Sequence, residues 1–320
     1  MNPQPSPRRT GLALGSGAAR GMAHIGVLKA LEAGGVKVDV LSGTSFGAFI
    51  GALYAAGVGV AQMEEVARGV DWQHLAKLLD PTIPTSGLID GRKLTRFMAE
   101  MLPARTFEEL KIPLGVVATD VETGEAVVIR RGNLLEALRA SVAFPGIFTP
   151  VPFGERFLID GGLLNPVPVD VAYELGAEVV IGVCAIPEVR KRPTETFLPM
   201  EGKKEVHPSG LREFLTSQGV EKIFREILRS NPREKLTQPS PAPSPRRKPP
   251  GIFRIFAQSV AIMENQINAL QLDRNEADLV IRPDLNGITL LEFNRAAEAI
   301  RAGELETRAR MPEILRLVGG

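Results

Sequence analysis

Short apolar runs alternate with amphipathic or small-residue stretches through the first half of the chain, and their spacing predicts alternating strands and helices. Leu12 to Leu14 predicts a strand, followed by a glycine-rich loop and a helix reaching about Ala33. Val36 to Leu41 predicts a second strand. The run Ala48 to Ala56 is small and apolar on every side, which predicts a buried helix. Asp90 is placed to N-cap a helix from Arg92 to Leu102. Pro113 to Thr119 reads as a buried strand, and Glu122-Thr123-Gly124 as the turn that leads into Ala126 to Ile129. Asn133 to Ser141 predicts a helix, Phe157 to Ile159 a short strand, and Val179 to Val183 another buried strand. This alternation predicts an α/β fold with a mainly parallel central sheet. The apolar stretch Val36 to Ala61 is long enough for a membrane span, but Ser42, Thr44, Ser45 and five glycines interrupt it. A strand, a corner and a buried helix account for it better.

The pattern changes after Pro187. Arg190-Lys191-Arg192-Pro193 opens a polar stretch, Leu211 to Arg229 predicts an amphipathic helix, and Pro239 to Pro250 is rich in Pro, Ser and Arg. That last piece has almost nothing apolar to bury, so it predicts an extended or disordered segment. Periodicity returns with a helix from Ile252 to Leu272, a strand at Leu279 to Ile281 and a terminal helical region. The chain thus reads as a single domain over residues 10–310 with an insertion at about 187–251, behind a flexible N-terminus at 1–9.

Composition narrows the functional classes. A chain of 320 residues can bury a full core, and 38 basic against 37 acidic residues make no electrostatic case for nucleic acid. The single cysteine, Cys184, excludes an intramolecular disulfide and reads as a buried strand residue in a reducing compartment. Met1 to Arg9 has no apolar core of a secretion signal. A cytoplasmic protein is expected, with neither metal nor cofactor. Arg246-Arg247-Lys248 beside Ile252-Phe253-Arg254-Ile255-Phe256 fits either a peripheral contact with the inner face of a membrane or a solvated linker into a packed helix.

The candidate chemistry begins at Gly43-Thr44-Ser45-Phe46-Gly47, where an apolar strand meets the buried helix. A serine at such a corner is held in a tight conformation that lifts its hydroxyl clear of both elements. A Cβ at Gly43 or Gly47 would collide with the neighbouring strand or helix. The plain alternative is a glycine-rich turn whose serine merely caps a helix. A nucleophile also needs donors for an oxyanion and a base for its proton. Donors are offered by the backbone of Gly15-Ser16-Gly17-Ala18-Ala19-Arg20-Gly21, at the start of the first helix. A dinucleotide-binding turn is the rival there, but its third glycine position holds Arg20 and no acidic residue ends the second strand. Of three histidines, His24 reads as a packed helix residue, His74 follows Trp72 in a helical segment, and His207 lies in the insertion. The stronger base is Asp160, which emerges from a strand into Gly161-Gly162; alone, it could also be an ordinary turn aspartate.

Glycine-rich loop, Gly-x-Ser-x-Gly corner and later Asp-Gly-Gly together resemble the patatin-like phospholipase family, its bacterial members above all. Gly11 to Gly21 is similar to that family's oxyanion loop, Ala23 to Leu28 to the helix after it, and Asp160-Gly161-Gly162 to its aspartate motif. Asn165-Pro166-Val167-Pro168, Ala118-Thr119-Asp120 and Ile281-Arg282-Pro283-Asp284 also resemble it. The resemblance implies a three-layer fold related to the α/β-hydrolases. It further implies a Ser–Asp dyad of Ser45 and Asp160, an oxyanion hole at Gly15, Ser16, Gly17, Ala18 and Arg20, and hydrolysis of fatty-acyl esters of phospholipids or lysophospholipids. Ser16 and Ala18 stand where many relatives carry glycine, so a catalytically weak, lipid-responsive regulator on the same fold is the alternative. Arg20 could orient the loop or meet a lipid phosphate. Asp120 reads as structural, and Ser141 to Pro150, with Phe144, Pro145 and Phe148, as an acyl-pocket wall or core packing.

Overall fold

The computed structural model describes residues 8–69, 80, 87–186, 252–272 and 277–319. Eight strands form one sheet: β1 Thr10–Leu14, β2 Val40–Thr44, β3 Leu114–Asp120, β4 Ala126–Ile129, β5 Val151–Phe153, β6 Arg156–Asp160, β7 Val179–Val183 and β8 Leu279–Ile281. Their order is β5-β6-β3-β2-β1-β7-β8, with β4 also paired to β3. From β3 to β8 the neighbours run parallel, while β4, β5 and β6 add antiparallel pairs at one side. The sheet is mainly parallel, as its continuous apolar strands predict.

Both faces are covered. Leu12 and Leu14 of β1 enter one core, and Ala13 enters the other with Val167, Val169, Ala172 and Val180. The larger core holds α1 (Ala23–Ala33), α2 (Phe46–Ala55), α3 (Val60–Gly69), α4 (Arg92–Met101), α5 (Leu134–Ser141) and α8 (Ala296–Val318). On the other face lies α6 (Val169–Glu174), and α7 (Ile252–Leu272) precedes β8. Gly26 and Gly303 let α1 and α8 meet backbone to backbone, since a Cβ on either would overlap a carbonyl of the other helix.

Three local departures from the sequence pattern have physical causes. Strand β2 pairs from Val40 to Thr44, not from Val36: the Val36 N–H turns back to Leu31 O (2.9 Å), and Asp39 takes the Thr10 N–H on its side chain (3.0 Å). The strand continues through polar Ser42 and Thr44 because their hydroxyls donate to Pro168 O and Asn165 O, both at 2.7 Å. Asp90 is not the cap of α4: Gly91 holds that position at φ 86°, and Asp80 accepts from the N–H groups of Gly91 (2.8 Å) and Lys93 (3.2 Å). Helix α3, not among the predicted elements, does carry a helical stripe of Val60, Met63 and Ala67. The proposed insertion, its helix at Leu211 to Arg229, the basic run Arg246-Arg247-Lys248 and the residues His74 and His207 lie outside the described residues.

Candidate active site

The corner is as tight as its glycines require. Strand β2 ends at Thr44, α2 starts at Phe46, and Ser45 between them sits at φ 55°, ψ −127°. Among the described residues the non-glycine positions with positive φ are Ser45 and Ala18. Such a conformation costs on the order of 1–3 kcal/mol and persists only where surrounding contacts enforce it. Here the Ser45 N–H donates to Ser141 Oγ (2.8 Å), whose own hydroxyl donates to Val117 O (2.6 Å). A Cβ on Gly43 would stand 2.7 Å from Ala48 N, and one on Gly47 would overlap the carbonyls of Leu14 and Gly15. The elbow is therefore packed directly against the glycine-rich loop.

Sheet register brings Asp160 to the same place. Thr44 pairs with Val117, so Ser45 comes level with Ala118, where β6 takes over the same edge of β3 and pairs Asp160 with Ala118, while β4 holds the opposite edge. The Ser45 hydroxyl donates to Asp160 Oδ2 at 2.6 Å, and the Gly162 N–H donates to Asp160 Oδ1 at 2.8 Å. Both side chains belong to buried residues, Ser45 at 8% and Asp160 at 3% exposure. Desolvation raises the Asp160 carboxyl to about 6, against the pull of its two hydrogen bonds. A carboxylate of that basicity, already bonded to a serine hydroxyl, can accept its proton.

The loop after β1 is anchored so that two donors stay free. Gly15 N donates to Val183 O (3.0 Å), Ser16 N to Pro166 O (2.8 Å) and Ala19 N to Leu290 O (3.0 Å). The N–H groups of Gly17 and Ala18 make no hydrogen bond to any described residue. His24 fastens the loop from beneath. Its Nε2 lies 2.7 Å from Gly15 O, and complete burial pushes the imidazole down to about 4. The ring is therefore neutral at physiological pH and donates Nε2–H to that carbonyl. Arg20 donates from Nε to Ile288 O (2.9 Å) and is faced by Glu264 and Glu292. Its charge is thus matched within the protein, which favours orientation of the loop over capture of a lipid phosphate.

The other candidates fall outside this cluster. Asp120 accepts from the N–H groups of Glu122 (2.9 Å) and Thr123 (3.3 Å) and shapes the β3–β4 turn. Phe148 packs under the Arg139 guanidinium, 5.1 Å from ring centre to carbon. One buried group near the dyad has no motif around it: Glu264 on α7, 7% exposed. Its signal in the sequence is a charged residue on the buried stripe of Val260, Ala261 and Asn268. Among the described residues no three His, Cys, Asp or Glu side chains are grouped to hold a metal, and no helix is long and apolar enough to cross a membrane.

A model of the family described as Patatin-like phospholipase matches residues 12–173, from β1 into α6. The chain belongs to the patatin-like phospholipase family. An uncharacterised NTE family protein of Mycobacterium bovis is 30% identical over 331 residues, covering 95% of this chain and 92% of that protein. Patatin-like phospholipase domain-containing protein 6 of the mouse is 38% identical over 179 residues, which is 54% of this chain and 13% of the mouse protein. Among solved structures, VipD from Legionella pneumophila superposes with a TM-score of 0.45 at 15% identity, covering 96% of this chain and 67% of that one. The patatin-like match contains both Ser45 and Asp160 but ends before α7 and Glu264.

Proposed function

We propose that this patatin-like protein is a serine acyl hydrolase that cleaves fatty-acyl ester bonds of phospholipids or lysophospholipids. The observation that carries this reading is the 2.6 Å hydrogen bond from a conformationally strained Ser45 to a buried Asp160. In the proposed reaction Ser45 Oγ attacks the acyl carbonyl carbon and its proton passes to Asp160 Oδ2. The negative charge on the carbonyl oxygen is received by the N–H groups of Gly17 and Ala18. Collapse of the intermediate expels the alcohol, which takes the proton back from Asp160 and leaves the acyl group on Ser45. Asp160 then accepts a proton from the water that attacks the acyl-enzyme carbonyl, and returns it to Ser45 Oγ as the Oγ–acyl bond breaks and the fatty acid leaves. The acyl-lipid substrate class rests on the family, with its phospholipase-named relatives.

The test is covalent labelling by a fluorophosphonate probe together with hydrolysis of a short-chain p-nitrophenyl ester by the intact chain. Wild-type protein should show both, and Ser45→Ala should show neither. Undiminished labelling of Ser45→Ala would overturn the assignment.

A further inference from the structure

Helix α7 brings a second carboxyl group to the dyad. A Cβ built on Gly162 would stand 2.8 Å from Glu264 Oε1, 3.1 Å from Ser16 Oγ and 3.2 Å from Asp160 Oδ1. Oxygen atoms from α7, from the oxyanion loop and from the dyad thus converge on one glycine. The charged groups facing Glu264 are Asp160 from β6 and Arg20 from the turn Ala18–Met22, and Arg20 is shared with Glu292. Asp160 accepts from Ser45 and Gly162, whereas Glu264 is governed by burial and its two charged neighbours, with no hydrogen bond from a described residue. Two carboxyl groups in one buried pocket ionise in sequence, because the second charge must form beside the first. Donors decide which goes first. Burial and the Asp160 charge hold the Glu264 carboxyl well above its ordinary value despite the pull of Arg20.

We propose that Glu264 is a positioning residue of the dyad: protonated at neutral pH, it keeps the pocket at a single negative charge and leaves that charge on the aspartate bonded to Ser45. The proposal rests on the acyl-hydrolase reading and extends it beyond the two motif residues. It carries a pH signature. Below about 6 the base is protonated and Ser45 cannot be activated. Above about 8 an ionised Glu264 places a second negative charge beside Ser16 and the oxyanion loop, where the reaction builds its own charge. Serine reactivity therefore rises through the first value and falls through the second.

The experiment follows the fluorophosphonate labelling rate of the intact chain from pH 5 to pH 9.5 for wild type, Glu264→Gln and Glu264→Asp. Wild type should lose roughly fivefold or more of its rate between pH 8 and pH 9.5, Glu264→Asp should keep that fall, and Glu264→Gln should lose it. Superimposable wild-type and Glu264→Gln profiles would overturn the proposal, as would a wild-type profile that stays flat to pH 9.5. A second readout needs no activity. In protein labelled with carboxyl-13C glutamate, one resonance should titrate near pH 8 in wild type and be missing from Glu264→Gln. If no resonance does so, the proposal fails even if labelling at Ser45 stands; if Ser45→Ala still labels, the hydrolase reading fails whatever that resonance shows.

Discussion

Asp120 and Asp160 end adjacent antiparallel strands, β3 and β6, and each is followed by a tight turn. Both are almost inaccessible to solvent, at 1% and 3% exposure. Their chemistry is nonetheless opposite. Asp120 is closed off by its own turn, not by the depth of the fold, and the backbone N–H groups of Glu122 and Thr123 hold its carboxyl below the ordinary range. Arg156, half exposed, adds a cation 3.5 Å away. Asp160 lies deep, with one backbone donor and one serine hydroxyl, and desolvation outweighs both. Exposure alone does not make a base. What separates the two is how many donors compensate the charge and how far water has been removed.

The comparison breaks most sharply on activity. Asp160→Asn should lower ester turnover by about 10³-fold, within the range for loss of a general base, whereas Asp120→Asn should stay within about threefold of wild type. Steady-state kinetics on a soluble ester decides this, and equal losses in the two variants would end the distinction. The glycines after the two aspartates sharpen it. Gly162→Ala drives a methyl group toward Glu264, Ser16 and Asp160, and should lower kcat by about 10²-fold through displacement of the dyad. Gly124→Ala meets open space at φ 70°, so it should cost about 1 kcal/mol of stability and leave kcat unchanged.

The smallest effect is on stability, and its sign differs between the two carboxyls. The folded value of Asp160 lies above the unfolded one of about 3.9, so ionising it in the fold is unfavourable, fully so above about 6 and not at all below the unfolded value. Asp160→Asn should therefore be more stable than wild type at pH 7.5, by on the order of 2 kcal/mol, and lose most of that lead by pH 4.5 and the rest below about 3.9. Asp120 is depressed in the fold and stabilises it at every pH above the unfolded value. Asp120→Asn should be less stable than wild type at pH 7.5, with a deficit that persists at pH 4.5 and closes only in stronger acid. Denaturant titrations at the two pH values test both signs.

Much of the architecture is legible from local pattern. The strand Val179–Val183, the helix Ile252–Leu272 and the strand Leu279–Ile281 have the boundaries that their apolar runs predict. Strand β2 is displaced because its polar residues find partners from Asn165 and Pro168, more than a hundred residues away, which no local window contains. The cap of α4 moves from Asp90 to Gly91 because Asp80, outside the helix's own first turn, supplies the acceptors. At the candidate site Ser45 and Asp160 each stand in a recognisable glycine setting. Glu264 has no such setting, because a buried side chain on a helix needs no special backbone around it.

By itself the sequence marked positions that come close to another backbone, because a missing Cβ at Gly43, Gly47 or Gly161 is a local fact of the chain. It also determined where strands and helices fall, through periodicity that each segment carries alone. Only the tertiary structure decided that Ser45 and Asp160 share a hydrogen bond, since that depends on β2, β3 and β6 pairing in one register. The basicity of Asp160 and the presence of Glu264 beside it were decided there too. Desolvation and the reach of a side chain from α7 are properties of the assembled pocket, and no segment of the chain holds them separately.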